Sequence, residues 1–174
     1  MKKLTAFLSI LLINASAFSQ DNFPRNEIRV NLFPSFILAY PEITYERIFN
    51  GDFSIGASIG AATHSAIIQN FNFTPFGRLY FGERFASGFF IEMNASLFVP
   101  GSGLRWGIAG DPYPDEEYPR THNHRQKLNA GVGVGIGWKA VTRNNWIWDL
   151  MIGGGRGTND TSYPRFGITL GRRF

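Results

Sequence analysis

Two stretches of this chain carry residues able to do chemistry. His64 and Ser65 stand side by side, a base next to a hydroxyl. A general base must reach its nucleophile within about 3 Å, and neighbours along a strand point to opposite faces. Adjacency therefore does not build a dyad, and the pair reads as ordinary loop polarity. The second stretch holds Asp111, Asp115, Glu116, Glu117, His122 and His124. Carboxylates with a His-x-His pair supply oxygen and nitrogen ligands for a divalent ion, but the spacing is irregular and broken by prolines. A hydrated surface loop is the better reading. Arg105, Arg120 and Arg125 in the same stretch suit phosphate oxygens, which a guanidinium meets with paired hydrogen bonds, so lipid phosphate is a candidate contact. Gly131, Gly133 and Gly135 are followed by no helix whose N-terminus could receive a nucleotide phosphate. These residues assign no catalytic, cofactor-binding or metal site.

The elements that would position such residues are strands. Residues 128–138 show it best: Leu128, Ala130, Val132, Val134, Ile136 and Trp138 share one parity, and Asn129, Gly131, Gly133, Gly135 and Gly137 share the other. A strict two-residue period is strand periodicity. The face opposite the apolar one carries almost no side chain, so something bulky must fill the space above it.

The N-terminal residues read as a processing signal. Lys2 and Lys3 precede a short apolar run, and Ala15, Ser16, Ala17 and Ser19 offer small-residue cleavage positions. This is the secretory pattern, so residues 1–19 are expected to be removed, after Ala17 or Ser19, leaving 20–174 as one domain. With no cysteine there is neither a disulfide framework nor an N-terminal lipid anchor. Without the two signal lysines, 15 basic residues face 13 acidic ones, which gives no case for nucleic acid. The chain is rich in aromatics, with 17 Phe, 6 Tyr and 4 Trp, yet no long apolar or helix-periodic segment supplies a matching soluble core. Aromatics on alternating strands point to the outer membrane.

Alternation predicts strands over residues 27–37, 42–49, 53–62, 71–81, 88–99, 128–138, 146–154 and 163–174. Pro34 sits awkwardly in the first and suggests a bulge or fraying. The turns at 50–52, 82–87 and 140–145 are short and the loops at 63–70, 100–126 and 155–162 longer, as in barrels whose periplasmic turns are short and outer loops long. Only the connection at 39–41 is brief for an outer loop. The expected fold is all-β, an eight-stranded antiparallel up-and-down transmembrane β-barrel. A bilayer tolerates no unpaired sheet edge, so such strands must close on themselves, and at eight strands side chains fill the interior.

The inward parity should then hold a polar core of Arg29, Glu42, Glu46, Arg78, Glu92, Lys139, Asp149, Arg165 and Arg173, which must pair because an unpaired buried charge is costly. The glycines of 131–137 should make room for long Arg and Glu side chains from other strands. Outward aromatics fall into two girdles: Phe49, Phe53, Phe81, Phe89, Trp138, Trp146, Trp148 and Phe174 at the periplasmic end, and Phe36, Phe71, Phe73 and Phe166 at the outer end. Arg47 and Arg172 are the outward charges expected, both near periplasmic ends. The competing architecture is a soluble exported sandwich or lipocalin-like barrel with the apolar parity inward.

The runs Pro41-Glu42-Ile43-Thr44-Tyr45-Glu46-Arg47, Thr74-Pro75-Phe76-Gly77-Arg78-Leu79-Tyr80-Phe81-Gly82 and Gly88-Phe89-Phe90-Ile91-Glu92 resemble an uncharacterised family of small outer-membrane β-barrels of Gram-negative bacteria, and more distantly the OmpA and OmpX barrels. The resemblance implies a plugged interior with an ionic network that includes Arg78 and Glu92, no enzyme activity, and a terminal Phe174 read by the barrel-assembly machinery. The expected protein is a monomeric, non-enzymatic outer-membrane barrel in contact with outer-membrane lipid, with a structural or surface-interaction role. The alternatives are a lipid-modifying barrel enzyme, for which the adjacent His64-Ser65 departs from the His-x-Ser arrangement of such enzymes, and a narrow solute conduit.

Overall fold

The computed structural model describes residues 24–63, 69–100, 128–158 and 162–174. The signal segment, His64 and Ser65, and the acidic, histidine and arginine residues of the loop from Asp111 to Arg125 with Arg105 lie outside these. Eight antiparallel strands, each hydrogen-bonded to its neighbours in sequence, close into an up-and-down barrel: β1 (Asn26–Asn31), β2 (Glu42–Ile48), β3 (Phe53–Ala61), β4 (Gln69–Tyr80), β5 (Gly88–Pro100), β6 (Asn129–Val141), β7 (Trp146–Gly157) and β8 (Ser162–Arg173). The seam runs between the first and last strands, with Glu27 opposite Arg173 and Val30 opposite Leu170.

Burial alternates residue by residue, most strictly in β2. The apolar parity faces out: Ile43, Ile55, Leu79, Val132, Ile136, Trp138, Leu150 and Ile152 are all exposed, while Arg29, Arg78, Lys139, Glu27, Glu46 and Glu92 are at most 2% accessible. This polarity is the reverse of the sandwich or lipocalin-like alternative, which needs the apolar parity inside.

The first strand is shorter than alternation predicts. After Asn31 the chain turns into a six-residue helix, α1 (Leu32–Ile37). Pro34 is the reason. It has no N–H for a sheet ladder but is tolerated in the first turn of a helix, and its carbonyl accepts from the N–H groups of Leu38 (3.1 Å) and Tyr40 (2.9 Å). Phe36 is consequently not a strand residue of the outer girdle but stands 80% exposed on α1. Phe33 on the same helix packs edge-on against Phe166 of β8, ring centroids 5.4 Å apart. The connection that looked too brief for an outer loop thus runs from Leu32 to Pro41. Gln69 and Asn70 belong to β4 and not to a loop, and β7 runs on to Gly157. That extension puts Arg156, exposed and opposite Val132, on the outward parity beside Arg47 and Arg172, a third outward charge that the shorter strand left out.

The end at which β1 begins and β8 finishes is closed. Asn26 and Phe174 exchange backbone hydrogen bonds of 3.0 and 2.8 Å, and the Ala86 N–H donates to the Gly51 carbonyl at 2.8 Å. The 82–87 turn therefore folds under the barrel, where Ile48, Tyr80, Ala86, Phe90 and Met151 form a buried apolar cluster with Phe85 against it. Gly88 leaves this turn at φ +86, a conformation that glycine adopts without a Cβ clash.

Candidate functional site

Strand parity alone brings the inward charges together, because every second residue of every strand points into one narrow lumen. The structure places all nine sequence-assigned residues there, each at most 8% accessible. It adds a tenth, Glu27, with no accessible surface. Glu27 shares the parity of Arg29, so the signal was available in the alternation itself. With it, the buried charges among the described residues are five cations and five carboxylates, and the interior balances.

The contacts form one continuous chain from the closed end upward. Arg173 pairs with Glu27 at 2.7 Å, and its guanidinium also donates to the carbonyls of Phe85 (3.0 Å) and Ala86 (2.8 Å). Glu27 accepts from Arg29 (2.6 Å) and from Lys139 (2.8 Å). Glu46 is the hub: Arg29 (2.5 Å) and Arg78 (3.3 Å) reach its Oε2, while Lys139 (2.9 Å) and the hydroxyls of Ser54 (2.6 Å) and Tyr80 (2.5 Å) donate to its Oε1. Lys139 also donates to the Tyr80 oxygen. Arg78 pairs with Asp149 at 2.5 Å and Glu92 at 2.8 Å, its guanidinium lying between the rings of Phe76 and Phe90, 4.8 and 4.3 Å from their centroids. Arg165 continues the chain from Glu92 (2.6 Å) to Glu42 (3.3 Å), and Asn31 donates to Glu42 at 2.8 Å.

Hydroxyls and amides finish the outer half. Tyr163 donates to Asn94 at 2.7 Å, and Tyr40 to Asn72 at 2.7 Å. Burial and the Glu42 charge both raise the Tyr40 phenol above its usual titration range, so it stays a donor. Four buried polar atoms among the described residues have no protein partner: Arg29 Nε, Asn31 Oδ1, Asp149 Oδ1 and Thr169 Oγ1. They sit on neighbouring strands, with Thr169 opposite both Asn31 and Asp149.

The glycine stave is filled differently from expectation. A Cβ at Gly131 would come within 2.7 Å of the Tyr163 ring, and one at Gly133 within 2.8 Å of its hydroxyl. One at Gly155 would overlap the same ring, and one at Gly137 the ring of Phe90. The occupants are aromatic rings, not the arginines and glutamates expected. The reason is depth. A flat ring from the neighbouring or next strand lies directly on bare backbone, whereas the charged chains run up the lumen axis toward one another. The same arrangement recurs where Phe76 covers Gly56 and Tyr40 covers Gly60. Arg29 does lie over a glycine, but that glycine is Gly171 of β8.

No family model matches the chain, and no curated protein matches it. A solved outer-membrane barrel is similar to it. The Yersinia pestis outer membrane protein Ail, in a phospholipid bilayer nanodisc, aligns with a TM-score of 0.44 at 12% identity, over 87% of this chain and 99% of that one. The likeness is loose, and the closed barrel rests on the chain's own strand ladder. The uncharacterised family suggested by the sequence stays a resemblance.

Among the described residues, every buried carboxylate of the lumen is held by at least one cation. Among the described residues there is no group of three or more His, Asp or Glu placed to hold a metal ion.

Proposed function

We propose that this protein is a non-enzymatic outer-membrane β-barrel whose rigid, charge-filled interior serves as a scaffold, with a structural or surface-interaction role carried by its outer end. The observation that supports this most is the inverted polarity: ten compensated charges inside and an apolar band outside, the arrangement that a bilayer favours and water does not. Trp138, Trp146, Trp148, Phe81, Phe89 and Phe174, which surround the closed end, fit the interfacial aromatic girdle of such barrels, and Arg47 and Arg172 lie where long side chains reach headgroups. Signal cleavage within residues 1–19, a monomeric state, contact with outer-membrane lipid and capture by the barrel-assembly machinery through the exposed Phe174 belong to the same proposal.

The conduit alternative is disfavoured by the stacked network and the apolar closure under it. The lipid-modifying alternative depends on His64 and Ser65, whose adjacency departs from the His-x-Ser arrangement of such enzymes. The test is refolding of the full chain into detergent and lipid vesicles. The expected result is a heat-modifiable barrel that needs amphiphile to stay folded and passes no discrete currents in a planar bilayer. Folded, monodisperse protein in plain aqueous buffer would refute the membrane placement, and stepwise conductance would refute the plug.

A further inference from the structure

On the outward face of β4–β7, near the end away from the 82–87 turn, the apolar band is interrupted by a trough of about 500 Å³. Its origin is in the sequence. Outward positions lower on β5 and β6 carry Phe89, Ile91 and Met93, and Val134, Ile136 and Trp138, but higher up the two strands present Ala95 and Ala130. The register sets Phe73 opposite Leu97 and Leu97 opposite Ala130 in one row, and Ala95 opposite Val132 and Val132 opposite Arg156 in the next. The two alanines are diagonal neighbours and form a low floor, walled by Phe73 and Pro75 on one side and by Val132 and Arg156 on the other.

Two further features mark this place. The pairing of β4 with β5 skips Thr74 and Pro75, although the pairing of β4 with β3 runs straight through both. Pro75 has no N–H to give to a ladder. A proline inside a closed barrel weakens the wall without serving it, and here it shapes the trough. Arg156 is the second feature. An outward arginine is costly at mid-membrane and tolerated near the interface, and Arg156 is the penultimate residue of β7, so its charge lies at headgroup height directly beside an apolar slot.

We propose that this trough is a binding site for a phosphate-bearing lipid of the leaflet at the loop end, one acyl chain lying over Ala95 and Ala130 and the phosphate on the Arg156 guanidinium. The occupant follows from complementarity: the slot is apolar and chain-sized, it lies on the outward face with the apolar band, and its rim bears a cation of the kind that meets phosphate oxygens with two hydrogen bonds. The proposal rests on the outer-membrane placement above and gives the general lipid contact a specific address.

The experiment uses the full chain folded in micelles of a phosphate-free maltoside detergent doped with phosphatidic acid, with retained lipid counted by native mass spectrometry. A diacylglycerol of the same chains and inorganic phosphate serve as comparisons. One phosphatidic acid should remain per barrel in preference to diacylglycerol. Arg156→Gln should weaken retention by about tenfold, the scale of a charge-assisted hydrogen bond, and Ala130→Leu should do the same by filling the floor. Both side chains lie on the outward face, so both variants should keep the heat-modifiable shift of the folded barrel. Equal retention by either folded variant, equal retention of diacylglycerol, displacement of the lipid by inorganic phosphate, or a second copy of the chain seated there as a lipid-independent dimer would each overturn the proposal. Failure of the wild-type chain to form a barrel in micelles would instead sink the membrane reading beneath it.

Discussion

Glu46→Gln is the sharpest perturbation of the interior, because it changes charge and leaves volume and shape almost untouched. Glu46 is fully buried and faces three cations, Arg29 at 2.5 Å, Lys139 at 2.9 Å and Arg78 at 3.3 Å. Neutralising it leaves five buried cations against four carboxylates. Arg29, Lys139 and Arg78 retain Glu27, Glu92 and Asp149 as partners, so the protein is not left with a bare ion, but it carries one uncompensated positive charge among fully buried side chains. Removing one partner of a buried pair costs about 3–5 kcal/mol. With a urea slope of about 2 kcal/mol per molar, the unfolding midpoint should fall by about 1.5–2.5 M. The assay is equilibrium unfolding from lipid vesicles, followed by tryptophan fluorescence and gel mobility. The control is Glu46→Gln combined with Lys139→Met, which restores neutrality, and the pair should recover part of the loss as a favourable coupling. A single-variant loss of less than about 1 kcal/mol, the size of an exposed pair, would refute the claim that the lumen is a compensated network. A double variant no better than the sum of the singles would refute charge balance as the controlling term.

Three further outcomes follow from the packing. Gly137→Ala should destabilise the barrel by about 1–3 kcal/mol through overpacking, because its Cβ would overlap the Phe90 ring. Gly135→Ala, one inward position along, should be nearly neutral, since its Cβ would come no closer than 3.4 Å to the Ile152 carbonyl; equal midpoints in urea for these two variants would contradict the ring-over-glycine arrangement. Arg173→Ala removes the hydrogen bonds to Phe85 and Ala86, so amide exchange should accelerate in the 82–87 turn before it does in β2 or β6, and unchanged protection there would show that the apolar cluster closes the barrel unaided. Tyr163→Phe deletes the donor to Asn94 and should cost about 1–2 kcal/mol while leaving the ring over Gly131 and Gly155 in place, whereas Tyr163→Ala should cost more than the hydroxyl alone.

The barrel was legible because its two faces differ at every strand position. Ile43, Tyr45, Ile55 and Ile59 against Glu42, Thr44, Glu46, Ser54 and Ser58 give the period directly, and eight such segments with alternating short and long connections leave closure as the way to remove both edges. The exceptions are equally physical. Residues 32–37 keep an apolar alternation that a strand could use, but Pro34 removes the ladder donor and the local helix satisfies the backbone instead. Glu27 was overlooked at a strand end where alternation had only just begun. Arg156 was missed because Gly153, Gly154 and Gly155 look like loop composition, although glycine on the inward face of β7 makes room for the Tyr163 ring.

What alternation cannot give is the identity of the neighbour across the lumen. Knowing that Arg78 and Gly137 both point inward does not say which of them Phe90 will meet, since that depends on the register of β5 against both β4 and β6. Register puts Phe90 opposite Tyr80 on one side and Gly137 on the other, so its ring lies on bare backbone while its face receives the Arg78 guanidinium at 4.3 Å. The glycines therefore serve the charges at one remove. They let the rings of Phe76 and Phe90 lie against the wall, and those two rings, both in contact with Arg78, hold its guanidinium where Glu46, Glu92 and Asp149 can reach it. Substitutions that keep the inward parity polar but enlarge Gly137 or Gly155 should accordingly disturb ion pairs they never touch, while apolar exchanges on the outward parity, away from the Ala95 and Ala130 floor, should leave the network unchanged.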